Sequence, residues 1–572
     1  MPFLRYARNG RKNRVELPHR RWPEQTAERA PLWCSVDLRD GNQALVSPME
    51  LHRKGAMFDL LCQLGFKQIE VGYPAASETE FAFVRELIEH DRIPDDVTIS
   101  VFTPARIELI ERTFESIRGA RRAMVHLCLA TACLWREVVF GLSAAELHDM
   151  TIGAAQHVAK LADAMPQSEL LFEYSPETFN VTEPEFALAV SNDVVATWSG
   201  CPERPVTLNL PSTVETDSPN VYADQIEWMD RNLANRESVI LSIHPHNDRG
   251  TAVASAELAL MAGADRVEGT LFGNGERTGN VCLATLALNL FSSGVDPQLD
   301  FSDIDAVRRT VEQCNQMPVH ARHPYAGDLV YTAFSGTHQD AIAKGLAAIE
   351  ARGLPDGSPP PWQVPYLPID PRDVGRAYES VVRLNSQSGK GGVAHVLHHQ
   401  YGLDLPRGLR VEFAKAVQDV TERSGTELTS RQLWEVFRRE YLETGLQLSI
   451  RDVARTDAGP GQVSLTATLV AGGEAIRVAG TGDTAAAAFV AGLSDSGRHV
   501  QLLSVTEHQV SGQLPGGLAS LSVASYVELH SGTDSTWGAG IAASSTEAML
   551  EAVLSAVSRG RPVNATHTAN AR

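Results

Sequence analysis

Residues 239–261 read VILSIHPHNDRGTAVASAELALM: a short β-rich apolar run, a polar loop containing Gly250, then a longer stretch with helical spacing. The same order recurs from about residue 31 onward. Strands are predicted at WCSVDL near 36, QIEVGY near 70, TISVFT near 100, RAMVHLCLA near 125, LLFEYS near 172, VTLNL near 207, VILSIH near 242 and RVEGTLF near 268. Apolar runs that do not alternate suit strands buried on both faces, and strand–helix alternation implies a parallel sheet with right-handed crossovers. Eight such units between residues 31 and 305 match the size of a (β/α)8 TIM barrel, roughly 250 residues.

The rest of the chain follows other patterns. Residues 1–30 are basic, yet lack an apolar signal core and carry Glu16 and Glu24, which predicts an ordered arm that reaches a partner subunit rather than a leader. Residues 306–430 read as a mostly helical linker region, interrupted by EARGLPDGSPPPWQVPYLPIDPRD, whose prolines forbid continuous helix. From residue 431 to 572, the strands VSLTATLVA, AIRVAG, VQLLSVTEH and ASLSVASYVELHS and the helices DTAAAAFVAGL and STEAMLEAVLSAVSRG predict a separate α+β domain. The final VNATHTANAR is expected to fray.

Composition narrows the function. A length of 572 residues with 43% hydrophobic and 21% charged residues excludes a single small module and wholesale disorder. Fifty Lys plus Arg against 70 Asp plus Glu gives a net charge of -20, a field that repels nucleic acid and anionic membrane. Seven cysteines without a C-x-x-C point to a reducing cytoplasm, and no apolar run is long enough to span a membrane.

In a parallel barrel, reactive groups gather where strands end. The first strand runs into Asp37-Leu38-Arg39-Asp40-Gly41-Asn42-Gln43 and the fifth into Glu173-Tyr174-Ser175-Pro176-Glu177; the sixth runs into Asn209-Leu210-Pro211-Ser212-Thr213 and the seventh into His244-Pro245-His246-Asn247-Asp248. The eighth leads into Gly273-Asn274-Gly275-Glu276-Arg277-Thr278-Gly279-Asn280. His244 and His246, two apart on a strand, share a face, and a carboxylate such as Asp40 can complete a divalent-metal site. The competing reading is two solvated histidines, and the same ligand set also suits a non-haem iron oxygenase. Arg39 can grip a carboxylate or a developing oxyanion, or simply neutralise Asp37 or Asp40. Glu177 is a candidate acid or base, and His126, inside an apolar run, reads as a core histidine.

Three glycine-rich stretches resemble nucleotide loops only loosely. Gly273 to Gly279 is one residue too long for the dinucleotide fingerprint, and SGKGG at 388–392 lacks the flanking residues of a P-loop. Gly480-Thr481-Gly482-Asp483-Thr484-Ala485 fits G-x-G-x-x-A between strand and helix, a turn that also serves tight helix packing or a small effector pocket.

Two long motifs carry a resemblance. Leu38-Arg39-Asp40-Gly41-Asn42-Gln43 with Lys54, and LSIHPHNDRGTAVA from Leu241 to Ala254, resemble the two signatures shared by isopropylmalate, homocitrate and citramalate synthases. GNGERTGN, YTAFSGTHQDAI, WQVPYLPIDPRDVGR and NSQSGKGGVA further resemble the long bacterial form of the 2-isopropylmalate synthase family. The likeness runs from about residue 30 to the C-terminus.

That resemblance implies a homodimeric acyltransferase. It would condense acetyl-CoA with 3-methyl-2-oxobutanoate and water to give 2-isopropylmalate and CoA, at the first committed step of leucine biosynthesis. It implies Asp40, His244, His246 and Asn280 as ligands of a divalent ion, Mg²⁺ with Mn²⁺ or Zn²⁺ as alternatives, and K⁺ as an activator. Arg39 would polarise the keto group, Thr213 would hold the substrate carboxylate, and His126, Ser175 and Asn209 would shape the pocket around the isopropyl group. Glu177, with His338 and Tyr366 from a partner subunit, would serve the acetyl-CoA step; the base could be Glu177, His338 or a water. L-leucine would bind the C-terminal domain as feedback inhibitor, around Gly480, Gly482 and Ala485 and around Gly538 and Ile541.

Other readings differ in chemistry. A dicarboxylic keto acid would want an additional cation in the pocket, and none is evident at the strand ends. Related metal-dependent lyases share the barrel and H-x-H but would not carry a leucine-type domain, and a non-catalytic leucine sensor would not need the complete ligand set.

Overall fold

All eight predicted strands form, and they close into one parallel barrel in chain order. They are β1 (Leu32–Ser35), β2 (Gln68–Gly72), β3 (Thr98–Pro104), β4 (Arg122–Ala130), β5 (Glu169–Glu177), β6 (Val206–Ser212), β7 (Val239–Pro245) and β8 (Arg266–Gly269). The seam is sealed by β1 against β8, with Trp33 opposite Val267. The computed structural model describes residues 14–333, 336–352, 360–376, 390–424, 428, 430–443, 448–471, 474–495, 500–510, 522–531 and 534–560. The start of the arm, the VNATHTANAR tail and the beginning of the SGKGG stretch lie outside them.

Helices follow the strands in turn: α1 (Leu51–Leu64), α2 (Glu78–Glu89), α3 (Ile107–Ser116), α4 (Ala144–Asp163), α5 (Pro184–Thr197), α6 (Pro219–Asn232), α7 (Ala252–Met261) and α8 (Leu283–Ser292). Ser143 shows why α4 starts where it does: its hydroxyl accepts from the Glu146 amide while Glu146 reaches back, a reciprocal cap. A ninth helix, α9 (Ile304–Asn315), packs on α1 through an amphipathic face that buries Val307 and Val311. The chain divides into two units, Met1–Val330 with Pro371–Arg376, and Tyr331–Asp370 with Ala377–Arg572. The barrel unit therefore extends past the predicted boundary at 305, because α9 still covers a barrel helix.

The strands depart from one expectation. They alternate between apolar and polar residues, although both sets are buried as anticipated. Ile69, Val71, Val125, Leu127, Leu208, Leu210, Leu241, Ile243 and Val267 have no solvent exposure. The intervening residues are charged or polar and face the barrel axis, since they bond across strands that are not neighbours. Arg266 on β8 reaches Glu173 on β5 at 3.1 Å, for example. The interior is thus a polar network, in place of the layers of branched apolar side chains usual in such barrels.

The described part of the arm is ordered against its own barrel. Arg20 forms a two-pronged pair with Asp224 of α6 at 2.6 and 2.7 Å, and the Trp22 indole donates to the same carboxylate at 2.9 Å.

The second unit begins with α10 (Gly336–Ala351), α11 (Lys390–Tyr401), α12 (Arg407–Ser424) and α13 (Ser430–Phe437). Two three-stranded antiparallel sheets follow, each succeeded by a helix: β9 (Leu448–Gly459), β10 (Gln462–Ala471), β11 (Glu474–Gly482) and α14 (Ala485–Asp495), then β12 (Gln501–Gln509), β13 (Val523–Ser531), β14 (Asp534–Ala542) and α15 (Ser545–Arg559). The halves repeat one plan, which the sequence reading did not detect. A Cβ at Gly480 would collide with the Ala488 carbonyl on α14, and one at Gly540 with the Ala548 carbonyl on α15. These glycines let a helix lie close on a sheet. Among the described residues no helix is long and apolar enough to cross a membrane.

Candidate active site

The site grows from the ends of β1, β7 and β8. After β1 the chain makes a π-helical turn, Asp37–Gly41, which places Arg39 and Asp40 side by side at the barrel mouth. Lys54 on α1 anchors this turn. Its ammonium is fully buried, donates to the Leu38 carbonyl at 3.1 Å and pairs with Glu80 at 2.6 Å. Where β7 ends, the strand period carried one residue past Pro245 places His244 and His246 on one side, with ring centroids 5.1 Å apart.

Asn280 arrives by a fold-back. The loop after β8 pairs with the end of β7, Asn247 N–H donating to the Gly279 carbonyl at 2.9 Å and Val281 N–H to the Pro245 carbonyl at 2.9 Å. Gly273 (φ 79°) and Gly279 (φ 98°) take left-handed backbone that a side chain would strain. A Cβ at Gly275 would overlap Asn280 Nδ2. The spacing of these glycines, which departs from a nucleotide loop, therefore serves the delivery of Asn280. Gly275→Ala is expected to displace Asn280 and weaken divalent-metal binding by about tenfold, in line with the loss of supporting groups at metal sites; metal titration of the stripped protein checks it.

Asp40, His244 and His246 offer ligand atoms within 4.8 Å of one another, all buried. Asp40 Oδ2 lies 3.6 Å from His244 Nε2 and 3.8 Å from His246 Nε2. Asn280 Oδ1 lies 2.7 Å from His244 Nε2, and its orientation is set by Nδ2 donating to the Asn274 carbonyl at 3.0 Å. Asp40 Oδ2 and His246 Nδ1 are buried without a hydrogen-bond partner. Lone pairs of a carboxylate, an amide and two imidazoles thus converge, and burying them together is costly unless a cation joins them.

The charge balance agrees. Asp40, Glu70, Glu173 and Glu268 are buried in the interior with two guanidiniums, Arg39 and Arg266, so carboxylates outnumber the fixed cations and a metal cation would offset them. Without an ion, protons fill the deficit. Burial opposes a charge on His244, but Asp40 and Glu268 outweigh it and push the imidazole up to about 10. Burial, together with Glu268, pushes Glu173 up to about 8 against the pull of Arg266. His246 is pushed down to about 4 by burial and by the charge of His244, so its lone pair is available.

The remaining predicted residues fall into one chain of contacts. Arg39 donates from Nη1 to Asp40 Oδ1 at 2.9 Å and from Nε to Glu70, and lies over the Phe102 ring at 4.7 Å. Glu70 Oε2 is 2.5 Å from His126 Nδ1, and His126 Nε2 is 2.7 Å from Ser175 Oγ. Asn209 Nδ2 donates to Ser175 Oγ at 3.0 Å and to Glu268 Oε2 at 2.9 Å. A second close group, Glu70, His126 and Glu268, differs from the first because both His126 nitrogens are already spent. His126, Ser175 and Asn209 are buried, and His126 and Asn209 both bond to Ser175 Oγ, forming a polar floor within the barrel.

Above that floor, Glu177 at the end of β5 sits beside Cys128, and burial raises its carboxyl above the ordinary 4.5. Thr178 follows in left-handed backbone (φ 63°), a costly conformation for a β-branched residue, and its N–H donates to Thr213 Oγ1 at 2.9 Å. That bond uses a lone pair of Thr213 Oγ1 and not its hydroxyl hydrogen. In the second unit, His338 and Tyr366 are brought together as a stacked, exposed pair with centroids 3.9 Å apart. Gly480 and Gly482 lie on β11 with Ala485 opening α14, whereas Gly538 and Ile541 lie on β14 of the other sheet.

Comparison with known proteins places the chain. Residues 30–311 match the HMGL-like family, 328–398 the alpha-isopropylmalate synthase post-catalytic domain-like family, and 427–560 the LeuA allosteric (dimerisation) domain. The chain is 54% identical to a 2-isopropylmalate synthase of Parafrankia sp. over 95% of this chain and 96% of that one. It is 53% identical to a 2-isopropylmalate synthase of Kineococcus radiotolerans over 98% of each.

The chain belongs to the 2-isopropylmalate synthase family.

Membership in the 2-isopropylmalate synthase family makes this chain an acyltransferase, and the HMGL-like barrel with its candidate metal group marks it as divalent-metal dependent. Four site residues escaped the sequence reading: Glu70, Glu268, Arg266 and Thr178. Glu70 and Glu268 each interrupt an apolar strand with a charge, which is the signal that would have found them, since a buried charge demands a partner. Thr178 left no comparable signal, because a left-handed threonine is set by the surrounding turn.

Proposed function

We propose that this chain condenses acetyl-CoA with 3-methyl-2-oxobutanoate and water, releasing CoA and (2S)-2-isopropylmalate, at the first committed step of leucine biosynthesis. The observation that carries the reading is the convergence of Asp40, His244, His246 and Asn280 beside the Arg39 guanidinium. The divalent ion, Mg²⁺ by preference over Mn²⁺ or Zn²⁺, supplies a Lewis acid for the keto oxygen when bound. Arg39 stabilises the negative charge that grows on that oxygen. The Thr213 hydroxyl donates to the keto-acid carboxylate, and Asn209, Ser175 and His126 hold the floor beneath it.

Glu177 is the group we assign to remove the acetyl methyl proton. Its raised pKa makes it a stronger base than an exposed glutamate. The resulting carbon nucleophile forms the new C–C bond to the keto carbon, whose oxygen takes a proton. Water then cleaves the thioester, leaving a carboxylate and free CoA. The stacked pair His338 and Tyr366 is assigned to the acetyl-CoA step of a second subunit in a homodimer. K⁺ is proposed as an activator, L-leucine as a feedback inhibitor acting on the C-terminal domain around Gly480, Gly482, Ala485, Gly538 and Ile541, and the cytoplasm as the compartment.

CoA release, followed with a thiol reagent on metal-stripped protein, tests this. Metal-dependent release fastest with 3-methyl-2-oxobutanoate and suppressed by leucine is expected; faster release with pyruvate or 2-oxoglutarate would overturn the substrate. A base of this kind works only deprotonated, so kcat/KM should fall as pH drops through a Glu177 pKa above 4.5. Glu177→Gln is expected to lose about 10²–10⁴ in rate and to flatten that acid limb; an unchanged limb would assign the base elsewhere.

A further inference from the structure

Glu268 lies in the middle of β8 with no solvent exposure. One of its oxygens, Oε2, accepts from His244 Nδ1 at 2.8 Å and from Asn209 Nδ2 at 2.9 Å. The other, Oε1, is 3.0 Å from Arg266 Nη1. We propose that Glu268 is the positioning residue of this site: its single oxygen Oε2 fixes the ring of His244 toward the metal ligands and ties it to Asn209 on the keto-acid side. This inference rests on the divalent-metal reading proposed above.

The argument is geometric. A carboxylate has no hydrogen to give, so His244 keeps its proton on Nδ1 when an ion is bound, and the Nε2 lone pair is then turned toward Asp40 and Asn280. The two histidines of the H-x-H pair differ here, because His246 Nδ1 is buried with no hydrogen-bond partner. His244 is therefore the oriented ligand and His246 the adaptable one. Asn209 spends one donor nitrogen on Glu268 and on Ser175 at once, and Ser175 leads through His126 and Glu70 to Arg39. A shift of Glu268 would thus be felt both at the ion and at the floor beneath the keto acid. Arg266 holds Glu268 from below, and Arg266 is in turn fixed by Glu173, by Ser242 at 2.7 Å and by Gln68 at 2.6 Å. Glu268 is thus held through the hydrogen bonds of Oε2 and the ion pair of Oε1 with Arg266.

The test is Mn²⁺ binding by the full chain after chelation, read from the electron paramagnetic resonance of the free ion, with thermal melting in chelator alongside. Glu268→Gln removes the charge; Glu268→Asp keeps the charge for Arg266 but withdraws the oxygen from His244. Glu70→Gln is the comparison, since Glu70 touches Arg39 and His126 and no proposed ligand other than through them. Both Glu268 variants are expected to lose about 10–100-fold in Mn²⁺ affinity while melting close to the parent. Glu70→Gln is expected to keep the parent's Mn²⁺ affinity and to lose turnover. A folded Glu268 variant that binds Mn²⁺ as tightly as the parent would overturn the proposal. So would failure of both variants to fold, which would make Glu268 a residue of barrel stability. A parent chain that binds no Mn²⁺ would instead remove the metal reading itself, and this inference with it.

Discussion

His246→Ala is expected to lose Mn²⁺ binding and turnover together while the barrel stays folded. The side chain is buried, yet Nδ1 has no partner and its nearest acidic neighbour is Asp40 at 3.8 Å, so little of the fold's own bonding depends on it. What it would contribute is a lone pair to the ion. A Lewis acid at a developing oxyanion is worth several kcal/mol, so loss of the ion should lower kcat/KM by roughly 10³. Melting of parent and variant in chelator should nearly coincide, and only the parent should gain stability when Mn²⁺ is added, since a ligand stabilises the state that binds it. A variant that binds Mn²⁺ and turns over like the parent would remove His246 from the ligand set.

Arg39→Lys is expected to cost about 10²–10³ in kcat, the range for losing one preorganised donor to an oxyanion. The substitution keeps the charge but not the fork. Arg39 spends Nε on Glu70 and one Nη1 hydrogen on Asp40, bonds that do not use Nη2. An ammonium has a single nitrogen and cannot hold both carboxylates and still present a donor at the same place. Because Asp40, His244, His246 and Asn280 remain, Mn²⁺ should still bind. Retained metal with lost turnover would separate the role of Arg39 from that of the ligands. Unchanged kcat would contradict its place beside the keto oxygen.

Much of this site could be read from residue order. The eight strands were legible because each is an apolar run set off by a polar loop, and His244 and His246 because a strand sends alternate residues to one side. Asn280 was reached only through family likeness: its position depends on a loop that turns back on left-handed glycines, and no periodicity encodes that. Glu268 and Glu70 were passed over because their strands were read as uniformly apolar. β9 escaped for the opposite reason. It is an edge strand, exposed from Arg451 through Ala458, whose charges mask a strand pattern. The repeat of sheet and helix in the second unit was hidden because its halves share spacing at Gly480 and Gly540 more than they share side chains.

The alternation along the barrel strands separates two kinds of mutational consequence. Ile243 faces the helices and His244 faces the axis, although they are neighbours in the chain. A change at Ile243, or at Leu208 or Val267, would be paid in packing, on the order of 1 kcal/mol for each buried methyl group removed, and would leave the ionic interior intact. A change at His244, Asn209 or Glu268 would alter reactivity with smaller consequences for the apolar shell. Selection can therefore retune the interior at every second position while the outer set keeps the barrel closed, a route by which one scaffold comes to host different reactions.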